Sequence, residues 1–152
     1  DIHYRPYSWN GPAEASQILS KACDACDVII GNDEEFDFVA GEPGQGLTLA
    51  ERYAGTSALV VYKRGEKGAR TFAGTSRFDT GIFKVDALKP VGSGDAFMAG
   101  LVAGLANGSS LETSVVQGSA CAAIVVSKVG CSLAMPKPEE LSDFIAQHDG
   151  IA

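Results

Sequence analysis

The sequence predicts an α/β fold, a three-layer sandwich in which helices cover both faces of a mostly parallel sheet. Two short runs, Val28 to Ile30 and Ala58 to Tyr62, are apolar throughout, as is typical of strands buried in a parallel sheet. Segments with helical periodicity alternate with these runs, and a glycine-rich turn at 92–94 precedes one of them. Because ligands of such folds bind beyond the carboxyl ends of the strands, the residues that follow each strand are candidate site residues.

The other elements follow from hydrophobic periodicity and from the positions of glycine, proline and helix-capping residues. Further strands are predicted at residues 1–5, 69–72 and 82–85. Helices are predicted at residues 12–25, 32–40, 47–53, 95–106, 111–127 and 138–147. The helix at 32–40 has the clearest ends, because Asn32 suits its N-cap and Gly41 its termination.

The composition suits a single enzyme domain that covers residues 1–152. With 45% hydrophobic and 20% charged residues, the chain can bury a core of its own. Its 12 basic and 19 acidic residues give a net charge of −7, which argues against nucleic acid and anionic membranes as partners. No apolar run approaches the roughly 20 residues that span a bilayer, and no signal peptide is visible, so the cytoplasm is the expected location.

The four cysteines predict neither a disulfide framework nor a metal site. Cys23 and Cys26 have C-x-x-C spacing, but no second pair or nearby histidine completes a zinc site. The pair also ends a helical pattern instead of opening one, unlike a redox motif. We therefore expect free thiols and no residue that binds a metal directly.

The turn Gly92-Ser93-Gly94, followed at once by Asp95 and an apolar run, predicts an anion site at the start of a helix. Backbone N–H groups and the helix dipole both favour negative charge there. A carboxylate beside an anion is unfavourable, which suggests that Asp95 is a base for an attacking hydroxyl. The alternative is an ordinary turn in which Ser93 or Asp95 caps the helix.

Two nucleotide-binding classes are excluded by their motifs. No Gly-Lys pair occurs, so a P-loop is absent. Phe97 stands where a dinucleotide-binding fold needs its third glycine. The glycine turn therefore needs a different explanation.

Asn32 and Glu35 have the spacing of a capping box, in which each side chain accepts the other residue's backbone N–H. They are also candidates for magnesium. An amide and a carboxylate one helical turn apart can order the water around Mg²⁺, which keeps much of its hydration shell. The two interpretations are compatible.

The segment from Lys89 to Val102 resembles the C-terminal signature of the ribokinase-like (PfkB) carbohydrate kinases, without a break in the match. The resemblance implies that the backbone of Gly92, Ser93 and Gly94 is an anion hole for the transferring phosphoryl group. It also implies that Asp95 is the catalytic base that activates the sugar hydroxyl.

Two motifs upstream of this signature occur in the order that the family shows. Asn32 and Glu35 match its N-x-x-E motif, which implies contact with magnesium and phosphate through water, with Asn32 near ATP. Lys63, Gly65 and Gly68 match its K-x-G-x-x-G loop, which implies contact with the nucleotide phosphates. The alternative for this loop is a basic hairpin turn with two glycines at positive φ.

A third motif follows the signature. The family places a helix and the loop after it against the nucleotide. Ser119 lies on the corresponding predicted helix, and Gly130 lies in the loop that follows it. The resemblance therefore implies that both residues bind ATP. The alternative is an apolar helix that ends near a glycine.

The N-terminal segment bears on the substrate. Asp1, Tyr4-Arg5-Pro6 and Trp9 resemble a segment of the family members that phosphorylate 5-dehydro-2-deoxygluconate in myo-inositol catabolism, and kinases of 2-keto-3-deoxygluconate or fructose are the alternatives. Arg5 could hold a sugar carboxylate or a phosphate by a bidentate pair. Equally, it could be a structural arginine paired with Asp1.

The resemblance implies a ribokinase-like fold, ATP and Mg²⁺ as cofactors, and a primary sugar hydroxyl as the acceptor. Family members are longer, and the part not matched here is the N-terminal half with the lid through which relatives form homodimers. The chain is therefore expected to be the C-terminal, nucleotide-binding part of a kinase and inactive by itself. The non-enzyme alternative is a truncated fragment that only binds ATP.

Lys89-Pro90 departs from the family pattern. Many relatives have Asp-Thr there, and that aspartate helps to bind a potassium ion. An ammonium group repels such a cation, so we expect no potassium requirement. Lys89 itself is expected to supply the positive charge.

Overall fold

A mixed four-stranded sheet forms the centre of the first half of the chain. The computed structural model describes residues 1–56 and 59–148. These residues form two compact units, which are divided between Asp79 and Thr80. The strands are β1 (Val28–Asn32), β2 (Leu59–Lys63), β3 (Ala69–Ala73) and β4 (Ser76–Thr80). The helices of the first unit are α1 (Pro12–Asp24), α2 (Asp33–Ala40) and α3 (Gly46–Ala54).

The strands lie in the order β1-β2-β3-β4. The parallel pairing that the apolar runs predict is found between β1 and β2, where Asn32 is opposite Lys63. β3 runs antiparallel to β2, with Ala69 opposite Lys63. The short turn between these strands leaves no room for the crossover that a parallel pair needs, so this half of the sheet cannot be parallel. Ala58, the predicted first residue of β2, lies outside the described residues.

Two predicted strands are wrong. Residues 82–85 are not a strand, because Phe83 and Val85 pack with helical side chains, and the sheet ends instead with β4. Residues 1–5 are not a strand either, although Ile2 donates its backbone N–H to the Ile30 carbonyl at 2.7 Å. Pro6 then begins a 3-10 turn.

The core of the first unit lies between the sheet and its helices. Phe36 of α2 and Tyr53 of α3 are buried with Val60, Tyr62 and Phe72 of the strands. Helix α2 begins directly after β1, so Asn32 at the carboxyl end of β1 is also the N-cap residue of the helix. The sheet edge at which β1 and β2 end is therefore also a helix N-terminus.

The second unit contains α4 (Ser93–Ala106), α5 (Leu111–Val126) and α6 (Pro138–Gln147). Each helix predicted along the chain is thus found among the described residues, with ends that move by one or two positions. No helix in the described ranges is long and apolar enough to cross a membrane.

Helices α4 and α5 pack backbone against backbone. A Cβ atom on Gly100 would lie 2.8 Å from the Gln117 carbonyl oxygen, and one on Gly118 would lie 2.7 Å from that of Phe97. Real Cβ atoms do not come so close to a backbone, so both positions need glycine. On the other side of α5, Phe83 packs against Phe144 of α6 with ring centroids 5.3 Å apart.

Candidate active site

The glycine turn and Asp95 form the start of α4. Gly92 is the N-cap residue in the left-handed region, with φ 89°, and Asp95 is the third residue of the helix. Asp95 is exposed. The prediction that Asp95 lies at a helix N-terminus, directly after a glycine turn, is confirmed.

The alternative of a capped helix is not what the structure contains. No side chain among the described residues caps the start of α4, and the Ser93 hydroxyl donates instead to the Pro90 carbonyl at 2.9 Å. The Ser93 N–H also points to that carbonyl, at 3.3 Å. The first turn of α4 therefore presents N–H groups that lack intrahelical acceptors, at the positive end of the helix dipole.

Gly92 is required at its position for two reasons. Its φ of 89° is a conformation that residues with a side chain rarely adopt. A Cβ atom there would also lie 3.2 Å from both Cβ and Sγ of Cys131. The turn is thus held closely against the loop that follows α5.

Lys89 joins these two segments. Its Nζ donates to the Gly130 carbonyl at 2.6 Å and lies 3.2 Å from Cys131 Sγ. The sequence predicts that Lys89 supplies a positive charge, but it does not identify these partners, which are about forty residues further along the chain. No signal in the spacing could have identified Cys131.

Gly130 and Ser119 occupy their predicted elements. Gly130 lies in the loop after α5 with φ 94°, and Ser119 lies on α5. Ser119 is buried, and its hydroxyl donates to the Gly81 carbonyl at 3.3 Å. Its contact with a nucleotide stays a prediction.

Asn32 and Glu35 form the predicted capping box at the start of α2. Asn32 Oδ1 accepts the Glu35 N–H, and Glu35 Oε2 accepts the Asn32 N–H, both at 2.8 Å. Glu35 Oε1 takes no part in the box. Within residues 1–56 and 59–148 there is no group of three or more His, Cys, Asp and Glu side chains that could hold a metal ion.

Residues 63–68 form the turn between β2 and β3. Gly65 has φ 58° and Gly68 has φ 75°, so both glycines are at positive φ, as the hairpin interpretation predicts. The Arg64 N–H closes the turn on the Gly68 carbonyl at 2.7 Å. Lys63 Nζ lies 3.8 Å from Asp1 Oδ1. The hairpin geometry does not exclude a nucleotide contact, which stays a prediction.

Asp79 supports this turn, and sequence reasoning missed it. Its carboxylate accepts two hydrogen bonds from Arg70, each 2.7 Å long, and lies 3.3 Å from Arg64 Nη2. The Arg70 hydrogen bonds, with a smaller contribution from Arg64, lower the pKa of Asp79 from 3.8 to about 2. The spacing of Arg70 and Asp79 on adjacent strands could have suggested the pair, had β4 been predicted.

Arg5 does not pair with Asp1. Its Nε donates to His3 Nε2 at 2.7 Å, while Asp1 pairs with Lys63 and lies 3.9 Å from His3 Nδ1. The structural alternative for Arg5, a pair with Asp1, is therefore wrong. The guanidinium is held by a ring nitrogen instead of a carboxylate, so its charge is not neutralised by that partner.

The predicted site residues fall into two groups, one in each unit. Arg5, Asn32, Glu35, Lys63 and the glycines at 65 and 68 belong to the first unit, in which strand register brings Asn32 and Lys63 together. The glycine turn, Asp95, Ser119 and Gly130 belong to the second, in which the turn and the Gly130 loop meet.

Comparisons with known proteins identify the family to which the chain is similar. Residues 1–138 match the model of the pfkB family carbohydrate kinases. The chain is 42% identical to a 5-dehydro-2-deoxygluconokinase of Photobacterium profundum over 151 residues, which is 95% of this chain and 46% of that protein.

Solved structures with the same fold include the ribokinase of Thermotoga maritima, at 26% identity and a TM-score of 0.78, with 93% of this chain and 51% of that chain covered. A structure described as a ribokinase II from E. coli, in complex with ATP and Mg²⁺, has a TM-score of 0.81 at 20% identity and covers 90% of this chain and 44% of that one. The chain thus spans about half the length of the relatives that it matches.

The α/β, ribokinase-like fold class predicted from the sequence is confirmed, and it is consistent with a three-layer sandwich. The family model covers most of the chain, including the glycine turn and Asp95. The chain belongs to the PfkB family of carbohydrate kinases.

Proposed function

We propose that the full-length protein containing this chain is a kinase that transfers the γ-phosphoryl group of ATP to a primary hydroxyl of a sugar acid. The proposed sugar acid is 5-dehydro-2-deoxygluconate. The observation that carries the proposal is the position of Asp95, an exposed carboxylate in the first turn of a helix that no described side chain caps. The 42% identity to a 5-dehydro-2-deoxygluconokinase supports the choice of substrate.

In this reaction Asp95 accepts the proton of the sugar hydroxyl. The hydroxyl oxygen forms a bond to the γ-phosphorus as the bond between that phosphorus and its bridging oxygen breaks, and ADP leaves with the electron pair. The backbone of Gly92, Ser93 and Gly94 stabilises the charge on the transferring group. Donors fixed at a helix N-terminus need no reorganisation during the step, which is why such an anion hole is effective.

Candidate nucleotide-binding residues are proposed separately for each unit. In the first unit we propose that Lys63 attracts the phosphates, while the backbone at Gly65 and Gly68 approaches them closely. Both glycines are at positive φ, and the turn that contains them follows a strand end directly. In the second unit, Ser119 and Gly130 are assigned to the nucleotide on the family resemblance.

Mg²⁺ fits Asn32 and Glu35 as partners that act through water. The capping box uses only one carboxylate oxygen of Glu35, and Asp33 and Glu34 add negative charge to the same helical turn. Water-mediated contact suits an ion that loses its hydration shell reluctantly. When bound, the ion would neutralise charge on the nucleotide phosphates, as in other phosphoryl-transfer enzymes.

Arg5 is assigned to the carboxylate of the sugar acid. Its guanidinium is exposed and is oriented by His3 through a 2.7 Å hydrogen bond. A fixed guanidinium suits bidentate recognition of a carboxylate. This assignment favours a sugar acid, including the alternative 2-keto-3-deoxygluconate, over fructose.

Residues 1–152 are proposed to be one domain, the C-terminal part of a cytoplasmic kinase whose lid forms a homodimer. The chain spans 46% of the matched P. profundum relative, so an incomplete sugar site is expected. The chain assayed alone is therefore expected to be inactive. By itself it would correspond to the alternative interpretation, a fragment that only binds ATP.

The test is a substrate comparison with the full-length protein. ADP release and the phosphorylated product are measured with 5-dehydro-2-deoxygluconate, 2-keto-3-deoxygluconate and fructose. We expect the highest kcat/KM with the first. A preference for fructose would overturn the sugar-acid assignment while leaving the kinase intact, and ADP release without a phosphorylated sugar would overturn the kinase itself.

A further inference from the structure

We propose that Lys89 is a positioning residue for phosphoryl transfer. Its charged hydrogen bond to the loop after α5 holds that loop against the glycine turn at the start of α4. The inference rests on the proposed function, because the turn is the proposed anion hole. It assigns a role to a side chain that touches neither the reacting atoms nor Asp95.

The first step of the argument is the bond itself. Lys89 Nζ donates to the Gly130 carbonyl at 2.6 Å, at the short end of the range for hydrogen bonds from a charged donor. Hydrogen bonds of this kind are about twice as strong as neutral ones. Lys89 is only partly exposed, so water competes for this bond less than it does at an open surface.

The second step is that the same segment is anchored by its backbone. The N–H groups of Leu88 and Lys89 both point to the carbonyl of Val126, the last residue of α5, at 2.8 and 3.3 Å. The backbone of Lys89 therefore lies at the C-terminal end of α5. The side chain and the backbone of Lys89 thus both hold the segment that leads into the glycine turn.

The third step connects this fastening to the anion hole. Cys131 follows Gly130, and its Sγ lies 3.2 Å from Lys89 Nζ and 3.6 Å from the Val91 carbonyl. The same cysteine bounds the space beside Gly92, where an added Cβ would lie 3.2 Å from it. Holding Gly130 with Lys89 therefore also holds Cys131 against the turn from which α4 and Asp95 begin.

Loss of the ammonium group would leave the Gly130 carbonyl without its donor and free the turn to shift. A displacement of about 1 Å in a positioned group can cost about 10²-fold in rate. The effect should fall on kcat, because it concerns the alignment of the transferring group. The KM for the sugar should be unchanged, because neither Lys89 nor the glycine turn is among the residues assigned to binding the sugar.

The experiment compares Lys89→Met, Lys89→Ala and Lys89→Arg in the full-length protein, with Lys128→Met as the matched control. Lys128 also lies just beyond α5, but its ammonium group pairs with Glu140 on α6 instead of with the Gly130 loop. We expect Lys89→Met to lower kcat by about 10²-fold at unchanged sugar KM. Lys89→Arg should retain most of kcat because it keeps a charged donor, and Lys128→Met should behave as wild type.

Chemical rescue separates positioning by charge from a structural role. Ethylammonium or potassium chloride is added to Lys89→Ala, with tetramethylammonium chloride at equal ionic strength as the control. We expect the first two cations to restore part of kcat, because each can approach a carbonyl oxygen, and the bulky control to restore none. Wild type should respond to none of them.

The outcomes distinguish this proposal from the one on which it rests. An inactive wild type would overturn both. An active wild type with normal kcat in Lys89→Met would overturn the role of Lys89 alone. If Lys89→Met folds poorly, failure of both Lys89→Arg and added ethylammonium to restore kcat would show that the lysine is structural, which also overturns it.

Discussion

Asn32 and Lys63 are directly opposite each other in the parallel register of β1 and β2, each as the last residue of its strand. The register therefore places the first turn of α2 beside the first residue of the 63–68 turn. An amide that caps a helix and an ammonium group share one edge of the sheet. This pairing is the strongest local support for assigning both segments to the phosphates of one nucleotide.

The Asp95→Asn variant should nearly abolish phosphoryl transfer while leaving ATP binding intact. The amide keeps the shape of the carboxylate but cannot accept the hydroxyl proton, and removing such a base costs about 10²- to 10⁴-fold in rate. ATP affinity should hold or rise slightly, because a negative charge near the proposed anion hole is removed. Transfer rates and calorimetric ATP binding in the full-length protein measure both effects.

Asp143→Asn is the matched control, since Asp143 is an exposed carboxylate on α6. It should have wild-type activity. Wild-type kcat in Asp95→Asn would mean that Asp95 is not the catalytic base.

Gly92→Ala should be more disruptive than Gly108→Ala, although both glycines have positive φ, 89° and 77°. Each alanine incurs the left-handed penalty of roughly 1–2 kcal/mol. Only at Gly92 does the new Cβ also meet Cys131, whereas nothing lies within 4 Å of a Cβ at Gly108. Urea unfolding compares the two variants, and kcat should fall only in Gly92→Ala. Equal effects would contradict the close contact with Cys131.

Glu35→Gln should separate the two roles of Glu35. Glutamine can keep the capping box, so the free energy of unfolding should barely change, while Glu35→Ala should lose about 1 kcal/mol. If Glu35 orders water around the metal, Glu35→Gln should require more Mg²⁺ for half-maximal activity, because the negative charge is gone. Unchanged Mg²⁺ dependence in an active variant would leave Glu35 as a helix cap only.

Asp79→Asn should reduce stability in a pH-dependent way. The folded pKa of Asp79, about 2, lies below its ordinary value of 3.8, so the carboxylate stabilises the fold above that ordinary value and progressively less as pH falls toward 2. The difference in unfolding free energy between wild type and variant should therefore be constant near neutral pH and shrink on acidification. Asp79 is about half exposed, so the effect should be modest.

Urea titrations at a series of pH values test this dependence. The same substitution in an Arg70→Met background is the control, because Arg70 is the main cause of the shift. In that background the difference in unfolding free energy should be smaller and should depend less on pH. A difference that grows on acidification would contradict the assignment of this ion pair.

The features that the sequence predicted well depend on neighbouring residues. The ends of α2 follow from Asn32, Glu35 and Gly41, all within one short segment, and the structure contains the capping box and a left-handed Gly41. The start of α4 was predicted for the same reason. The interactions that give these elements their ends are local, so a single sequence reveals them.

The features that it predicted poorly depend on long-range packing. Residues 82–85 are mostly apolar and favour a strand, but Phe83 and Val85 pack against side chains of α5 and α6. The bond from Lys89 to Gly130 joins residues that only the folding of α4 and α5 brings together. Likewise, His3 was not expected to hold Arg5, because a two-residue separation in irregular backbone carries no periodic signal.

The glycines at the contact of α4 with α5 also restrict how this half of the molecule can move. With backbones in contact at Gly100 and Gly118, there is no intervening layer of side chains whose rotamers could absorb sliding of one helix along the other. The two helices should therefore move as one rigid body, which carries the Asp95 turn at the beginning of α4 and the Gly130 loop beyond the end of α5. Any opening that admits a ligand must then hinge outside this pair, which keeps Asp95 and the Gly130 loop at a fixed separation.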